Sequence, residues 1–335
     1  MNGSRRLNDP GFLSLCYHYI RPLIDADPYP DLLGNRVDMF RQHIEMLQAE
    51  YKMITPDEVN SYTHNNKILD SQKHGMLITF DDGLSDHFRA ARILYEYNIK
   101  ALFFVPTCVL IDNEPANPII IHYCLAINRI AGFLKAFNNA LEDYGLDIEE
   151  FCIDYQPRQD AAWDIIKEIK STFKYRLHYK DSRKILLHIY KNTLANKHHD
   201  MMNEMHLSND KVQAMLDMGH SIGVHSHSHI SVAASDLTKE DFNHEIVNPR
   251  KYLKETFNTE IDSFSYPFGG KQDCLSTKAL IDKTDIYDLA FTVETILNTK
   301  ATSPHELGRY MPMSTDTAED LKFVLNTIVN NSKED

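Results

Sequence analysis

The stretch Ile78-Thr79-Phe80-Asp81-Asp82-Gly83 constrains the fold more than any other part of the chain. Met76 to Phe80 is an apolar run too short for a core helix, and the residues after it turn abruptly acidic. A run of that kind, closed by turn residues, is a buried strand. Two adjacent aspartates at a strand end are costly, because like charges side by side push one pKa up. A nearby cation removes that cost. A plain surface turn is the alternative, since Asp-Asp-Gly is ordinary turn chemistry. A second cluster far downstream decides between the two.

Around this stretch the chain keeps a βα rhythm. Phe12 to Tyr19 reads as a first strand ending in Tyr17-His18-Tyr19. Asn35 is placed to cap a helix whose Val37, Phe40, Ile44 and Leu47 keep helical spacing. Thr55-Pro56-Asp57-Glu58 opens another helix, with proline in its first turn. A helix from about Leu84 to Tyr97 and a strand from Lys100 to Val105 follow the aspartates. From about 111 to 207 the pattern is helical throughout, which predicts an insertion of roughly ninety residues, suited to a lid or to an interface through which the chain could form oligomers. His198-His199-Asp200, at its end, reads as a solvated loop. The rhythm then resumes: a helix near Asp210, a strand Ser221 to Val224, a long helix from about Lys239 to Thr256, and a strand Ile261 to Tyr266. Tyr287 to Val293 is a further strand, and Leu307-Gly308-Arg309-Tyr310 ends the last short one. Strand and helix alternating in this way predict one α/β domain over 1–335, a parallel barrel with a large helical insertion.

Composition excludes some partners. The chain of 335 residues is 43% hydrophobic and 25% charged, with a formal net charge of -13 and scattered acids. Nucleic acid and anionic membrane both call for a basic surface, so neither is an expected partner. Met1 to Leu13 lacks an apolar core of signal-peptide length. Ile119 to Phe137, the most apolar later stretch, is interrupted by His122, Asn128, Arg129 and Lys135 and reads as a buried helix, not a transmembrane segment. Cys16, Cys108, Cys124, Cys152 and Cys274 are odd in number and without CxxC spacing. Reduced thiols in the cytoplasm are the expectation.

The second cluster is His225-Ser226-His227-Ser228-His229, directly after the strand Ser221 to Val224. His225 and His229 are four apart, so one helical turn would aim both imidazoles at one point. With one carboxylate they form a His/His/Asp set that leaves coordination positions open, as catalytic metal sites do. A histidine-rich surface loop is the alternative. Both clusters follow parallel strands at their C-terminal ends, where such folds hold their chemistry.

Three segments in order, Thr79-Phe80-Asp81-Asp82-Gly83, His225-Ser226-x-x-His229 and Phe264-Ser265-Tyr266-Pro267-Phe268-Gly269, resemble the main motifs of the NodB-type polysaccharide deacetylases, the family-four carbohydrate esterases. The resemblance implies a distorted (β/α)7-type barrel and the removal of N-acetyl groups from an amino-sugar-containing carbohydrate. Residue by residue, it implies a base at Asp81, metal ligands at Asp82, His225 and His229, a loop-steadying hydroxyl at Ser226, and a backbone N–H at Phe268 facing the developing oxyanion. The cofactor it implies is one divalent ion, zinc first, with cobalt, nickel or manganese also accepted by such a donor set.

Two departures stand out. Where many members carry an arginine to orient the base, this chain has Ser265, and Arg309 is the expected substitute, with a surface salt bridge as the alternative. No histidine follows Arg309, so the usual late general acid is missing. Tyr17-His18-Tyr19-Ile20 resembles the arrangement of circularly permuted members, which makes His18 the candidate acid, with a buried structural histidine as the alternative; His305 and His227 come next. Two rival functions remain. Gly219-His220-Ser221-Ile222-Gly223 matches the nucleophile elbow of serine hydrolases, but here the helix precedes the strand, the reverse of the elbow. A carbohydrate-binding barrel without catalysis would show itself by losing Asp81, which is present.

Overall fold

The computed structural model describes residues 10–64, 69, 72–156, 161–231 and 237–332. Residues 1–9, and with them most of the stretch read above for an export signal, lie outside the described residues. Among the described residues nine strands form: β1 Phe12–Tyr17, β2 Ile20–Arg21, β3 Asn35–Arg36, β4 Lys52–Met53, β5 Gly75–Phe80, β6 Leu102–Val105, β7 Ser221–Val224, β8 Ser263–Ser265 and β9 Leu289–Phe291. Seven of them make one parallel sheet in the order β1-β5-β6-β7-β8-β9, with β4 also on β5. The sheet curls, and the segment Leu307–Tyr310 spans its two edges. Thr292 N–H donates to the Leu307 carbonyl at 2.8 Å, and Tyr310 N–H donates to the Ser14 carbonyl at 2.9 Å. The expected last strand is thus present only as two isolated bridges, Phe291 to Leu307 and Leu15 to Tyr310, but it does the closing.

Helices α1 Val37–Glu50, α2 Pro56–His64 and α3 Asp86–Glu96 belong to the first βα units. The insertion carries α4 Cys108–Ile111, α5 Asn117–Tyr144, α6 Ile148–Phe151, α7 Ala162–Ser171, α8 Tyr179–Tyr190 and α9 Met201–Met205. The remaining helices are α10 Asn209–Asp217, α11 Lys239–Phe242, α12 Asn248–Phe257, α13 Lys271–Thr284 and α14 Ala318–Asn331. A π-helical segment, Asn243–Val247, joins α11 to α12, so the expected long helix is continuous but wider for one turn. Thr55 and Glu58 cap α2 reciprocally, Glu58 N–H donating to Thr55 Oγ1 at 3.2 Å and Thr55 N–H to Glu58 Oε2 at 2.9 Å. Asn35 does not cap α1. Its side chain is spent on the Met313 carbonyl, and Arg36 stands at the cap position without a side-chain bond.

Strand alternation sorts the core. Phe12, Leu77, Leu102, Phe104, Leu289, Phe291 and Leu307 pack together inside the barrel, floored by Val59 and Tyr62 of α2. Leu13, Leu15, Tyr17, Met76, Ile78 and Phe80 face the helices instead. Asp81 continues the inward parity of Leu77 and Thr79, and His18 that of Phe12 and Cys16, so both are aimed into the barrel mouth. Within the insertion, Phe133 and Phe137 of α5 pack against Phe173, continuous with that helix-side core. By length and composition, Asn117–Asp143 could cross a membrane. Here the helix is broken at Arg129, with φ at 62°, and it packs against α8.

Asn298 ties the closing segment down. Its Nδ2 donates to the Gly308 carbonyl at 2.9 Å and its Oδ1 accepts the Gly308 N–H at 2.8 Å, while its backbone pairs with Phe12. The side chain is fully buried, so Asn298→Ala leaves an N–H and a carbonyl unsatisfied. It is expected to lower the unfolding free energy by roughly 2–4 kcal/mol, read as a lower urea midpoint. An unchanged midpoint would mean that the closing segment is held by something else.

Candidate active site

Asp81 sits at the end of β5 and is 3% exposed. Arg309 reaches it from the closing segment, Nη1 donating to Oδ1 and Nη2 to Oδ2, each at 2.7 Å. Ser265 Oγ donates to Oδ2 at 2.9 Å. Arg309 is itself buried and saturated. It also donates to Thr79 Oγ1 at 3.1 Å, to Ser265 Oγ at 2.8 Å and, through Nε, to the Thr292 carbonyl at 2.9 Å. The alternative of a surface salt bridge is excluded by this burial. Burial opposes ionisation of Asp81, but the Arg309 charge and hydrogen bonds, with His225 nearby, hold its carboxyl well below the usual range. Ser265, the small residue where an arginine was expected, contributes a hydroxyl to both partners.

Asp82 follows with φ at 81°, and Gly83 with φ at 57°. A non-glycine residue in that region is strained and persists only where its surroundings impose it. The turn swings Asp82 toward the histidine loop. Asp82 Oδ1 lies 3.4 Å from His225 Nε2 and 3.2 Å from His229 Nε2, and all three residues are buried. The imidazoles do not converge through a helical turn, as their spacing suggested. Residues 225–229 form a loop with left-handed φ at Ser226 (56°) and at His229 (57°). Ser226 Oγ accepts the His229 N–H at 2.9 Å and holds that shape.

Glu245, from the π-helical segment, braces the same loop. It is 4% exposed and accepts the N–H of His227 at 3.2 Å and of Ser228 at 3.0 Å, with the Ser228 hydroxyl at 2.9 Å. Sequence reasoning missed it. The signal was there, since Glu245 falls on the buried stripe of Phe242 and Ile246, and an acid on such a stripe needs partners.

The donor set fits a divalent cation. Asp82 Oδ1 is buried without a hydrogen-bond donor. His225 Nδ1 is 2.9 Å from the Ser265 carbonyl, which assigns its proton there and leaves the Nε2 lone pair aimed at Asp82 Oδ1. Burial pushes the Asp82 carboxyl up, while the two histidines, when protonated, pull it well below its usual range. Cys16, His18 and Asp81 form a second group of such donors, but burial pushes the Cys16 thiol up and so keeps it protonated, and Arg309 already occupies Asp81.

His18 lines the same cavity, its Nε2 3.8 Å from Asp82 Oδ2 and its side chain 31% exposed. The Phe268 ring packs on His229 with centroids 4.7 Å apart, and Phe268 adopts φ of 65°, which turns its backbone at the Pro-rich corner. Its N–H has no acceptor among the described residues. The other candidate acids face elsewhere. His227 bonds Thr107 and pairs with Asp112, while His305 is held by Asp282 and the Tyr287 carbonyl. His198-His199-Asp200 lies in a largely exposed loop. Ser221 opens β7 at the end of the barrel opposite the site, which leaves the GxSxG match without a partner constellation.

Comparison with known proteins bears on this curled parallel sheet, with its buried aspartates and histidines at the C-terminal mouth. A polysaccharide deacetylase family model matches residues 180–281, which hold the His225–His229 loop and the Pro267–Gly269 turn but not Asp81 and Asp82. The fold is shared with the Streptococcus pyogenes deacetylase PplD in complex with acetate, at 17% identity and a TM-score of 0.55, over 95% of this chain and 98% of that one. IcaB from Ammonifex degensii gives 18% identity and a TM-score of 0.55, over 94% and 96%. BC0361, a polysaccharide deacetylase from Bacillus cereus, gives 14% and 0.55, over 94% and 69%. No curated protein matches the chain. The family match covers the second half of the site, and the solved structures share the fold.

The geometry separates the two aspartates experimentally. The wild-type chain is expected to take up about one zinc or cobalt ion, measured by elemental analysis after dialysis. Asp82→Asn and His229→Ala should lose it, Asp81→Asn should keep it, and Glu245→Ala should weaken uptake by roughly 10–100-fold. If Asp81→Asn also empties the site, the division into base and ligand is wrong.

Proposed function

We propose that this protein is a metal-dependent N-deacetylase that hydrolyses the acetamide of an amino-sugar-containing carbohydrate. The observation that carries the reading is the pairing, at the floor of one cavity, of the Asp82, His225 and His229 donor set with an Asp81 locked in place by Arg309. Asp82, His225 and His229 would hold the ion, which supplies Lewis acidity and a lower pKa for water in the site.

The chain's own residues account for the rest. Asp81 is oriented by three hydrogen bonds, which use all but one of its roughly four lone-pair sites. The free site, on Oδ1, takes the proton of the attacking water. The same bonds depress its basicity, so Asp81 works only on water already made acidic. The Phe268 N–H donates to the oxygen that gains charge as the amide carbonyl is attacked. His18, half-open to the cavity, gives a proton to the departing amine, which is too poor a leaving group as an anion. A cytosolic location goes with this reading, supported by five free thiols and an acidic chain, and suits a precursor better than a finished polymer.

Acetate released from a panel of N-acetylated sugars tests the reaction. Asp81→Asn should abolish release, and chelation should do so reversibly. His18→Ala should cut kcat by about 10²–10⁴-fold, with metal content and KM little changed. Saturable sugar binding without acetate release would instead favour a binding barrel, and activity that survives chelation would favour a serine hydrolase. Loss of metal in His18→Ala would make His18 a ligand and not an acid.

A further inference from the structure

The cavity above the donor set is about 1000 Å³, at the upper end for a small-molecule site. Its floor is polar, with Asp81, Asp82, His225 and His229. Its walls are not. The insertion lines it with Ile121, Leu125 and Ile130 of α5, Ile166 of α7, Phe173 from the turn after α7, and Leu186 of α8. A glycan wall-to-wall in such a space would leave hydroxyls facing hydrocarbon, and each unpaired buried hydroxyl opposes binding. The mouth continues the apolar surface outward, with Leu33 and Trp163 each 58% exposed and Met311 47% exposed.

One cation in this cavity is unspent. Arg129 pairs with Asp31, and Lys174 with Asp273. Lys170, the last basic residue of α7, makes no hydrogen bond or ion pair among the described residues. Lys170 is exposed to solvent along the cavity; the surrounding protein pushes its pKa down, while the charge of Asp82 pulls it up.

Building on the deacetylase reading, we propose that the substrate is an anionic glycolipid: an N-acetylated amino sugar joined through a phosphate to a hydrocarbon chain. The sugar's acetamide lies on the Asp81 and Asp82 floor, the phosphate meets Lys170, and the chain runs between α5 and α7 to leave past Trp163. The insertion is then the chain-binding half of the site, and the exposed rim is where the chain emerges toward a lipid surface.

Three probes decide this: methyl N-acetylglucosaminide, its dodecyl analogue, and dodecyl N-acetylglucosaminyl phosphate. Each methylene buried is worth roughly fourfold in binding. Even partial burial of the chain predicts that kcat/KM rises at least about 100-fold from methyl to dodecyl, and about tenfold more with the phosphate. Ile166→Asp and Leu125→Asp, both at half-buried wall positions, should lower the dodecyl-to-methyl ratio by at least about tenfold, with circular dichroism checking the fold. Lys170→Met should erase the gain from phosphate alone.

Trp163 is the only tryptophan of the chain, so its fluorescence reports chain binding without turnover. A saturable change is expected with the dodecyl compounds below their micellar concentrations and none with the methyl one. Equal kcat/KM for methyl and dodecyl substrates, or no gain from the phosphate, overturns the proposal while leaving deacetylation standing. Saturable Trp163 changes with no acetate from any probe would sink the deacetylase reading but support the chain site.

Discussion

The buried pair of Arg309 and Asp81 is the constraint on which the rest of the structure depends. Both side chains are almost completely enclosed, and a lone charge at either position would be heavily penalised. Each is therefore bound to the other. Because Arg309 belongs to the closing segment and Asp81 to the end of β5, the pair also fixes how the last turn of chain lies across the sheet edges. Removing one partner of such a pair costs on the order of 3–5 kcal/mol. Here the guanidinium spends every N–H on Asp81, Ser265, Thr79 or the Thr292 carbonyl, so barrel closure and the orientation of one carboxylate are the same event.

The second half of the site is held by a different device. Three departures from ordinary backbone, at Asp82, Ser226 and His229, bring one carboxylate oxygen and two imidazole nitrogens together. Loops at the rim of a barrel tolerate such strain when rigid elements on either side impose it. Glu245 supplies that rigidity from behind, taking two backbone N–H groups of the histidine loop. The insertion finishes the enclosure. Lys174 pairs with Asp273 of α13 and stands over the Phe268 ring at 4.5 Å, so the roof is fastened to the corner that carries the Phe268 N–H. Water exclusion, site geometry and the apolar walls are thus contributed by three separate parts of the chain.

Much of this was legible in the residues alone. The run Met76 to Phe80 ended in aspartates because a parallel strand delivers its last side chains to the barrel mouth. His225 and His229 were visible as a spaced pair because metal-type donor sets are rare by chance, and Arg309 because a strand-end arginine stood where the expected one was missing. Other features were not legible. The spacing of four suggested a helical turn at His225, whereas left-handed residues make the loop, a conformation uncommon at any non-glycine residue and therefore not expected at Ser226 or His229. Asn35 looked like a cap because asparagine caps helices, but a carbonyl 278 residues away, on Met313, competed for it and won.

The sequence by itself determined the parallel α/β barrel, the interruption between β6 and β7, and the identity of the aspartates and histidines, since these follow from local periodicity and residue chemistry. Only the tertiary structure decided that Arg309 saturates Asp81, that Glu245 braces the histidine loop, and that α5 and α7 roof the donor set with hydrocarbon. Those contacts join residues far apart in the chain. Their partners are chosen by packing and by the need to satisfy buried charge, and neither leaves a mark within any short window of sequence.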